Sequence, residues 1–292
     1  MQKQQEISKK YLLLLFLYGI FAFIFFCIIL FPKKQLVRHA MHLLSERLNC
    51  TITTQDVQIH FPGKLELREV KIMGKQADAE ATPLLYLEKI HIRPKLSQLF
   101  LKKINLLFNL HLYHGNLNGS ANFDLFHPKK LLDLHCLIRE IQLSDIKQIQ
   151  ELFNIHFTGK LSAEAKIKSS QNNLLNGTGE YTFTITPGDA QIMNFPNFTF
   201  QRIQGDGNLN QGKLKIQSIR IQSDELQAQI TGDLRLAQNI AKSYLNTRVH
   251  LKITQKLQKR LGALASLLPR QNQGGIRLNI KGNLNALTFR PI

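Results

Sequence analysis

The sequence predicts an all-β protein with short helices: a curved, bulged antiparallel sheet forming an open trough behind one N-terminal transmembrane helix. Three observations predict it. A run of 21 residues without a charge, Tyr11 to Phe31, stands near the start of the 292-residue chain. From Asn49 onward, apolar and polar residues alternate with period two, broken by Gly, Asn, Asp and Pro, the pattern of half-buried strands joined by turns. Within those strands one motif recurs: two alternating apolar residues, a two-residue gap, then two more.

Residues 1–10 form a short tail carrying Lys3, Lys9 and Lys10, and residues 11–31 match the ~20 residues that a helix needs to cross a hydrocarbon core. A secretory signal would have a shorter apolar stretch and a small-residue cleavage site. Phe31-Pro32-Lys33-Lys34 is bulky and then charged, so the run reads as an uncleaved anchor. The basic residues on its two sides balance and leave orientation undecided by charge. A short tail before a long domain favours a cytosolic N-terminus with the large domain outside the cytosol. Residues 32–48 follow as an amphipathic helix, with Leu36, Val37, Ala40, Met41, Leu44 and Leu48 at three-to-four-residue spacing.

Residues 49–292 form the β domain. Strands are expected near Thr51–His60, Leu65–Ile72, Lys103–Leu112, Leu117–Leu125, Phe157–Ile167, Gly179–Thr186, Phe198–Asn208, Lys213–Ile221, Gln227–Leu236, Tyr244–Ile253, Ile276–Ile280 and Ala286–Phe289. Turns fall at Phe61-Pro62-Gly63 and Tyr113-His114-Gly115-Asn116. Helical inserts with one apolar stripe are expected at Pro94–Leu101, Asp145–Phe153 and Thr254–Leu268, each suited to packing on a sheet edge or capping a groove. The last is flanked by Lys256, Lys259, Arg260 and Arg270, a composition that also suits a membrane interface.

The recurring motif is Leu65, Leu67, Val70, Ile72; then Leu85, Leu87, Ile90, Ile92; then Leu214, Ile216, Ile219, Ile221; Cys136, Ile138, Ile141 and Leu143 repeat it more weakly. An extra residue in a period-two strand turns the second half to the other face unless the strand bulges, and a bulge restores the side while bending the strand. The first twelve residues are therefore the candidate face, either packing a core or left for the acyl chains of a lipid.

Lys and Arg number 38 against 20 Asp and Glu, and residues 151–292 carry about +10 of the formal +18. That field suits an anionic membrane surface or acidic protein; behind a membrane anchor it does not point to nucleic acid. Cys27 lies in the span, and Cys50 with Cys136 makes no framework and no CxxC. His39 and His42 could share a helix face, but two ligands without a nearby carboxylate or third His are weak evidence for a zinc site and read as surface histidines, and His111 and His114 are read as strand residues on opposite faces. Gly205 and Gly207 read as a hairpin turn, with no helix N-terminus behind them to bind phosphate. No hydrolase elbow, zinc helix, Walker loop or EF-hand loop occurs. No catalytic, cofactor or metal residues are assigned, and an enzyme is not expected.

An anchor ending in Phe31-Pro32, an amphipathic helix, Phe61-Pro62-Gly63-Lys64-Leu65-Glu66-Leu67-Arg68-Glu69-Val70, and Leu87-Glu88-Lys89-Ile90-His91-Ile92-Arg93-Pro94 before a Leu-rich helix resemble the type II secretion system protein GspN family. The Tyr113–Gly119 turn and Leu278-Asn279-Ile280-Lys281-Gly282-Asn283-Leu284 continue the likeness, which extends more distantly to the AsmA and TamB group. Asn283 departs from the small hydroxyl residue usual there, and Pro291 comes late. The resemblance implies a Gram-negative inner-membrane protein with a single span and a periplasmic C-terminal domain, a non-enzymatic accessory of type II protein secretion that works with its other subunits. The AsmA side implies instead a trough that binds or transfers lipid in the envelope.

Overall fold

The computed structural model describes residues 50–60, 63–74, 85–95, 97, 103–124, 132–147, 150, 155–169, 177–192, 197–237, 242–261, 275–284 and 286–292, preceded by 14–16, 18, 19, 35, 37, 39, 41, 42, 45 and 46. The chain divides into two compact units, Met1–Ile52 and Thr53–Ile292.

In the first unit, every described position from 35 to 46 is helical. Val37 is buried and Met41 and Ser45 are half-buried, whereas Gln35, His39, His42 and Glu46 are exposed, so a stripe at i, i+4, i+8 faces away from water. His42 Nδ1 lies 3.8 Å from Glu46 Oε1 one turn on, so a carboxylate does stand beside this histidine, contrary to the sequence reading. Strand β1 (Cys50–Thr53) follows, and the Ile52 N–H donates to Ser45 Oγ at 3.2 Å. Among the described residues no helix is long and apolar enough to cross a membrane. Most of the expected span lies outside them; Leu14, Leu15, Phe16 and Tyr18 are helical with exposed side chains.

The second unit is one long, open antiparallel sheet with few helices. Its strands are β2 (Asp56–His60), β3 (Lys64–Gly74), β4 (Leu85–Pro94), β5 (Lys103–Leu112), β6 (Gly115–Asp124), β7 (Leu132–Gln142), β9 (Lys160–Ser169), β10 (Thr178–Ile185), β13 (Arg202–Asn210), β14 (Lys213–Gln222), β15 (Leu226–Arg235), β16 (Tyr244–Ile253), β17 (Ile276–Asn283) and β18 (Ala286–Pro291). They are neighbours in that order, β2 pairing with β3, so each strand lies beside its predecessor in the sheet. Tyr113 (φ 48°) and His114 (φ 59°) join β5 to β6, and Gln211 (φ 47°) and Gly212 (φ 79°) join β13 to β14. Paired positive φ values are those of the tight hairpin turn whose twist matches its strands.

Two connections leave the sheet. The chain between β7 and β9 contributes β8 (Ile155–Phe157); the chain between β10 and β13 contributes β11 (Gly188–Ile192) and β12 (Phe198–Phe200). β7 and β10 run in the same direction, with β9 antiparallel between them, so both excursions emerge at the same end and pair as a small sheet, β12-β11-β8. Helix α1 (Gln255–Leu261), between β16 and β17, leaves from that end too.

The structure revises several local readings. Gly205 and Gly207 lie inside β13, not in a turn, because Phe183 and Tyr181 on β10 stand directly opposite them and their rings fill the space that a Cβ would take. His114 sits in the turn after β5 and its Nδ1 lies 2.9 Å from Asp145 Oδ2. The expected strand Phe198–Asn208 is two strands in different sheets, separated at Gln201, and Thr51–His60 is interrupted at Thr54-Gln55. Leu143 leaves the strand in a 3-10 turn, Leu143–Asp145. α1 realises the first part of the third helical insert; the rest of it, and most of the other two, lie outside the described residues.

Candidate functional site

Because residues directly opposite in an antiparallel pair point to the same side, the register identifies a face. Leu65, Leu67, Val70 and Ile72 stand opposite Ile92, Ile90, Leu87 and Leu85. Leu214, Ile216, Ile219 and Ile221 stand opposite Leu209, Gly207, Gly205 and Ile203 on β13, and opposite Leu234, Gly232, Ile230 and Ala228 on β15. One row links the groups: Leu67, Ile90, Leu110, Leu117, Ile138, Ala163, Phe183, Gly205, Ile219, Ile230, Val249, Leu278 and Pro291, each opposite the next. Leu65, Leu67, Ile90, Ile92, Leu214, Ile216, Ile219 and Ile221 therefore lie on one side of the sheet, while Val70 and Ile72 pair with Leu87 and Leu85 beyond Glu69 and Glu88.

The phase is kept by irregularities. In β14, Gln217 and Ser218 occupy the space opposite Thr231 alone, and in β7 Arg139 and Glu140 (φ 54°) lie opposite Ser162 alone. In β3 and β4 pairing passes from Arg68–Lys89 to Val70–Leu87 with the register unchanged, and Glu69 (φ 50°) and Glu88 are left out of the ladder together.

Coverage of this face is uneven. At the end where the connections emerge, Phe157, Phe198 and Phe200 of the small sheet pack with Phe183, Ile185, Ile203, Ile219 and Ile221, and the Phe157 and Phe200 rings stack 5.2 Å apart. Beside them, Leu257 and Leu261 of α1 pack with Leu226, Ile253 and Ile276. Elsewhere many aliphatic members are only half-buried, among them Leu106, Leu110, Ile216 and Leu234. Farther from the capped end, Ala165, Ile167, Tyr181, Leu209, Leu214 and Leu236, with Glu180, line a mainly apolar hollow of about 230 Å³. β9 contributes small Ala163 and Ala165, whose alternation is too weak to mark them as site residues in the sequence. Cys136 shares the face, and burial pushes its thiol up; it and Cys50 are both free.

The opposite face is polar. β6 presents Asn116, Asn118, Ser120 and Asn122 there, opposite His111, Asn109, Leu107 and Asn105 of β5. On β3, Glu66 is buried among Lys64, Arg68, Lys89 and His91, at 3.6, 2.9, 3.0 and 3.1 Å. Hydrogen bonds from Lys89 and then Arg68 hold its carboxyl at about 2. Burial, with Lys64 adding to it, holds His91 below its ordinary value. Glu225, in the β14–β15 turn, accepts a hydrogen bond from Arg260 of α1 and lies 3.3 Å from Lys256; Arg260 also donates to the Asn197 carbonyl. Burial pushes the Glu225 carboxyl up, and these two cations outweigh it and hold it below its usual range. The helix is thereby tied to the sheet turn and to the connection before β12.

Among the described residues no group of three or more His, Cys, Asp and Glu could hold a metal ion. Comparison with family models, with curated proteins and with solved structures finds no match to this chain.

Proposed function

We propose that the protein is a non-enzymatic accessory of type II protein secretion, tethered to the inner membrane by Tyr11–Phe31 and presenting its sheet to the periplasm, where it works through the apolar face. The observation that carries this reading is the two-faced sheet: one side is largely apolar along the described strands, the other Asn-rich and charged. Such a face must be covered by something, since a large contiguous apolar surface in water marks a binding site. The order of motifs that resembles the GspN family is the ground for taking secretion as the setting.

A second reading makes the face a trough for lipid acyl chains, the role that likeness to the AsmA and TamB group implies. The half-buried aliphatic side chains and the hollow beside Tyr181 favour it. The two readings part in one experiment. Removing the gene should leave type II cargo in the periplasm if the chain serves secretion. If it carries lipid, export should continue while acyl chains co-purify with residues 49–292 and are found by mass spectrometry. Normal export together with a lipid-free domain would contradict both.

A further inference from the structure

The sheet is open, and among the described residues no strand pairs with the outer side of β2 or of β18. Unpaired strand edges carry free backbone donors and acceptors that another strand can complete. β2 reads Asp56-Val57-Gln58-Ile59-His60, and β18 reads Ala286-Leu287-Thr288-Phe289-Arg290-Pro291. The register puts Val57 and Ile59 on the apolar side, opposite Leu67 and Leu65. Leu287 and Phe289 are on that same side, opposite Gly282 and Ile280. Asp56 and Gln58 share the polar side with Thr288 and Arg290.

Direction agrees as well. Neighbouring strands in the sheet order are antiparallel, and counting along it from β2 to β18 leaves these two terminal strands running oppositely. If a second copy continued the sheet past β18 with its apolar face on the same side, its β2 would arrive antiparallel. One register then sets Asp56 opposite Arg290, Val57 opposite Phe289, Gln58 opposite Thr288 and Ile59 opposite Leu287. Every apolar residue meets an apolar one, and the carboxylate meets the guanidinium. Phe289 is 64% and Ile292 68% exposed. Among the described residues neither Asp56 nor Arg290, nor the neighbouring Arg277 and Lys281, has an ion-pair partner.

We infer that β18 of one copy docks against β2 of a second copy, joining chains head to tail into one continued sheet. Such a contact is heterologous: it uses two different surfaces and leaves a free edge at each end, so it propagates rather than closing at two copies. It would lengthen the apolar face without altering either protomer. The inference rests on edge register and not on which cargo the face serves.

Sedimentation velocity of the full chain in detergent, over a range of concentrations, tests it. The wild type should assemble as concentration rises. Arg290→Asp alone and Asp56→Arg alone should each weaken assembly about tenfold, since each sets like charges opposite one another across the new strand pair. The chain carrying both changes should assemble again, and so should an equimolar mixture of the two single variants, with circular dichroism confirming that each keeps its β signal. A wild type that stays monomeric, assembly that ignores both single changes, or folded single variants that the swap fails to rescue would overturn the inference.

Discussion

Glu66 is a carboxylate held by three cations and a histidine on the polar side of β3 and β4. Its pKa falls from 4.5 to about 2, so the folded chain resists a proton that the unfolded chain accepts. Its stabilisation is complete above about 4.5 and drains away as pH falls toward 2. Neutral His91 works in the same direction, because a histidine whose folded value is depressed loses stability as pH falls below its ordinary one. Glu66→Gln should lower stability at pH 7, since it leaves Lys89 and Arg68 crowded without their counter-charge, and it should flatten the acid limb between 4.5 and 2. Urea unfolding across that range measures both effects; an unchanged acid slope would show that the carboxylate is not the group that titrates. At this scale the sequence was least legible. Glu66 reads as one charge in a strand until the register brings Lys89 and His91 beside it. Gly205 and Gly207 carry the ordinary signal of a turn, and only their pairing with Phe183 and Tyr181 gives them another meaning: glycines that leave room for aromatic rings.

Among elements, β14 is the most informative, because its apolar pattern alone calls for an extra residue and the register locates it at Gln217-Ser218. Deleting Gln217 should be tolerated: Leu214, Ile216, Ile219 and Ile221 then alternate without interruption, and the pairing with β15 becomes regular. Deleting Lys215 instead puts Leu214 next to Ile216 and drives one of them to the polar side, a register conflict that should abolish cooperative unfolding. Thermal melts of the two deletions compare them directly. Equal damage from both would mean that the bulge is not what keeps the phase. Tyr244–Ile253 and Lys103–Leu112 appear as strands with the bounds their alternation suggests. The small sheet was not legible, since β8 and β12 are three residues each and β11 five, too short to carry a period, and they gain stability only by pairing with one another across distant connections. The stripe on α1 was visible, but its anchor Glu225 was not, because the Arg260 contact spans 35 residues.

For the whole molecule, the account turns on whether the apolar side of the sheet is a working surface or an ordinary core. Alternation made that side predictable strand by strand, and the register joins the strands into one face; what covers the face is a question of tertiary contact that periodicity does not answer. The structure divides it. Leu67 is 6% exposed, whereas Ile216 is half-buried between Gly207 and Gly232 on the neighbouring strands, away from the cap of β8, β11 and β12. A carboxylate forced into a sealed site costs several kcal/mol unless it is paired, whereas one beside open space keeps part of its hydration. The direct measurement is urea unfolding, followed by circular dichroism, of residues 49–292 carrying Ile216→Glu or Leu67→Glu. Leu67→Glu is expected to lose the cooperative β transition and Ile216→Glu to keep it, with a midpoint only modestly lowered. If Ile216→Glu unfolds the domain as completely as Leu67→Glu does, the face is a filled core and the protein does not work through it.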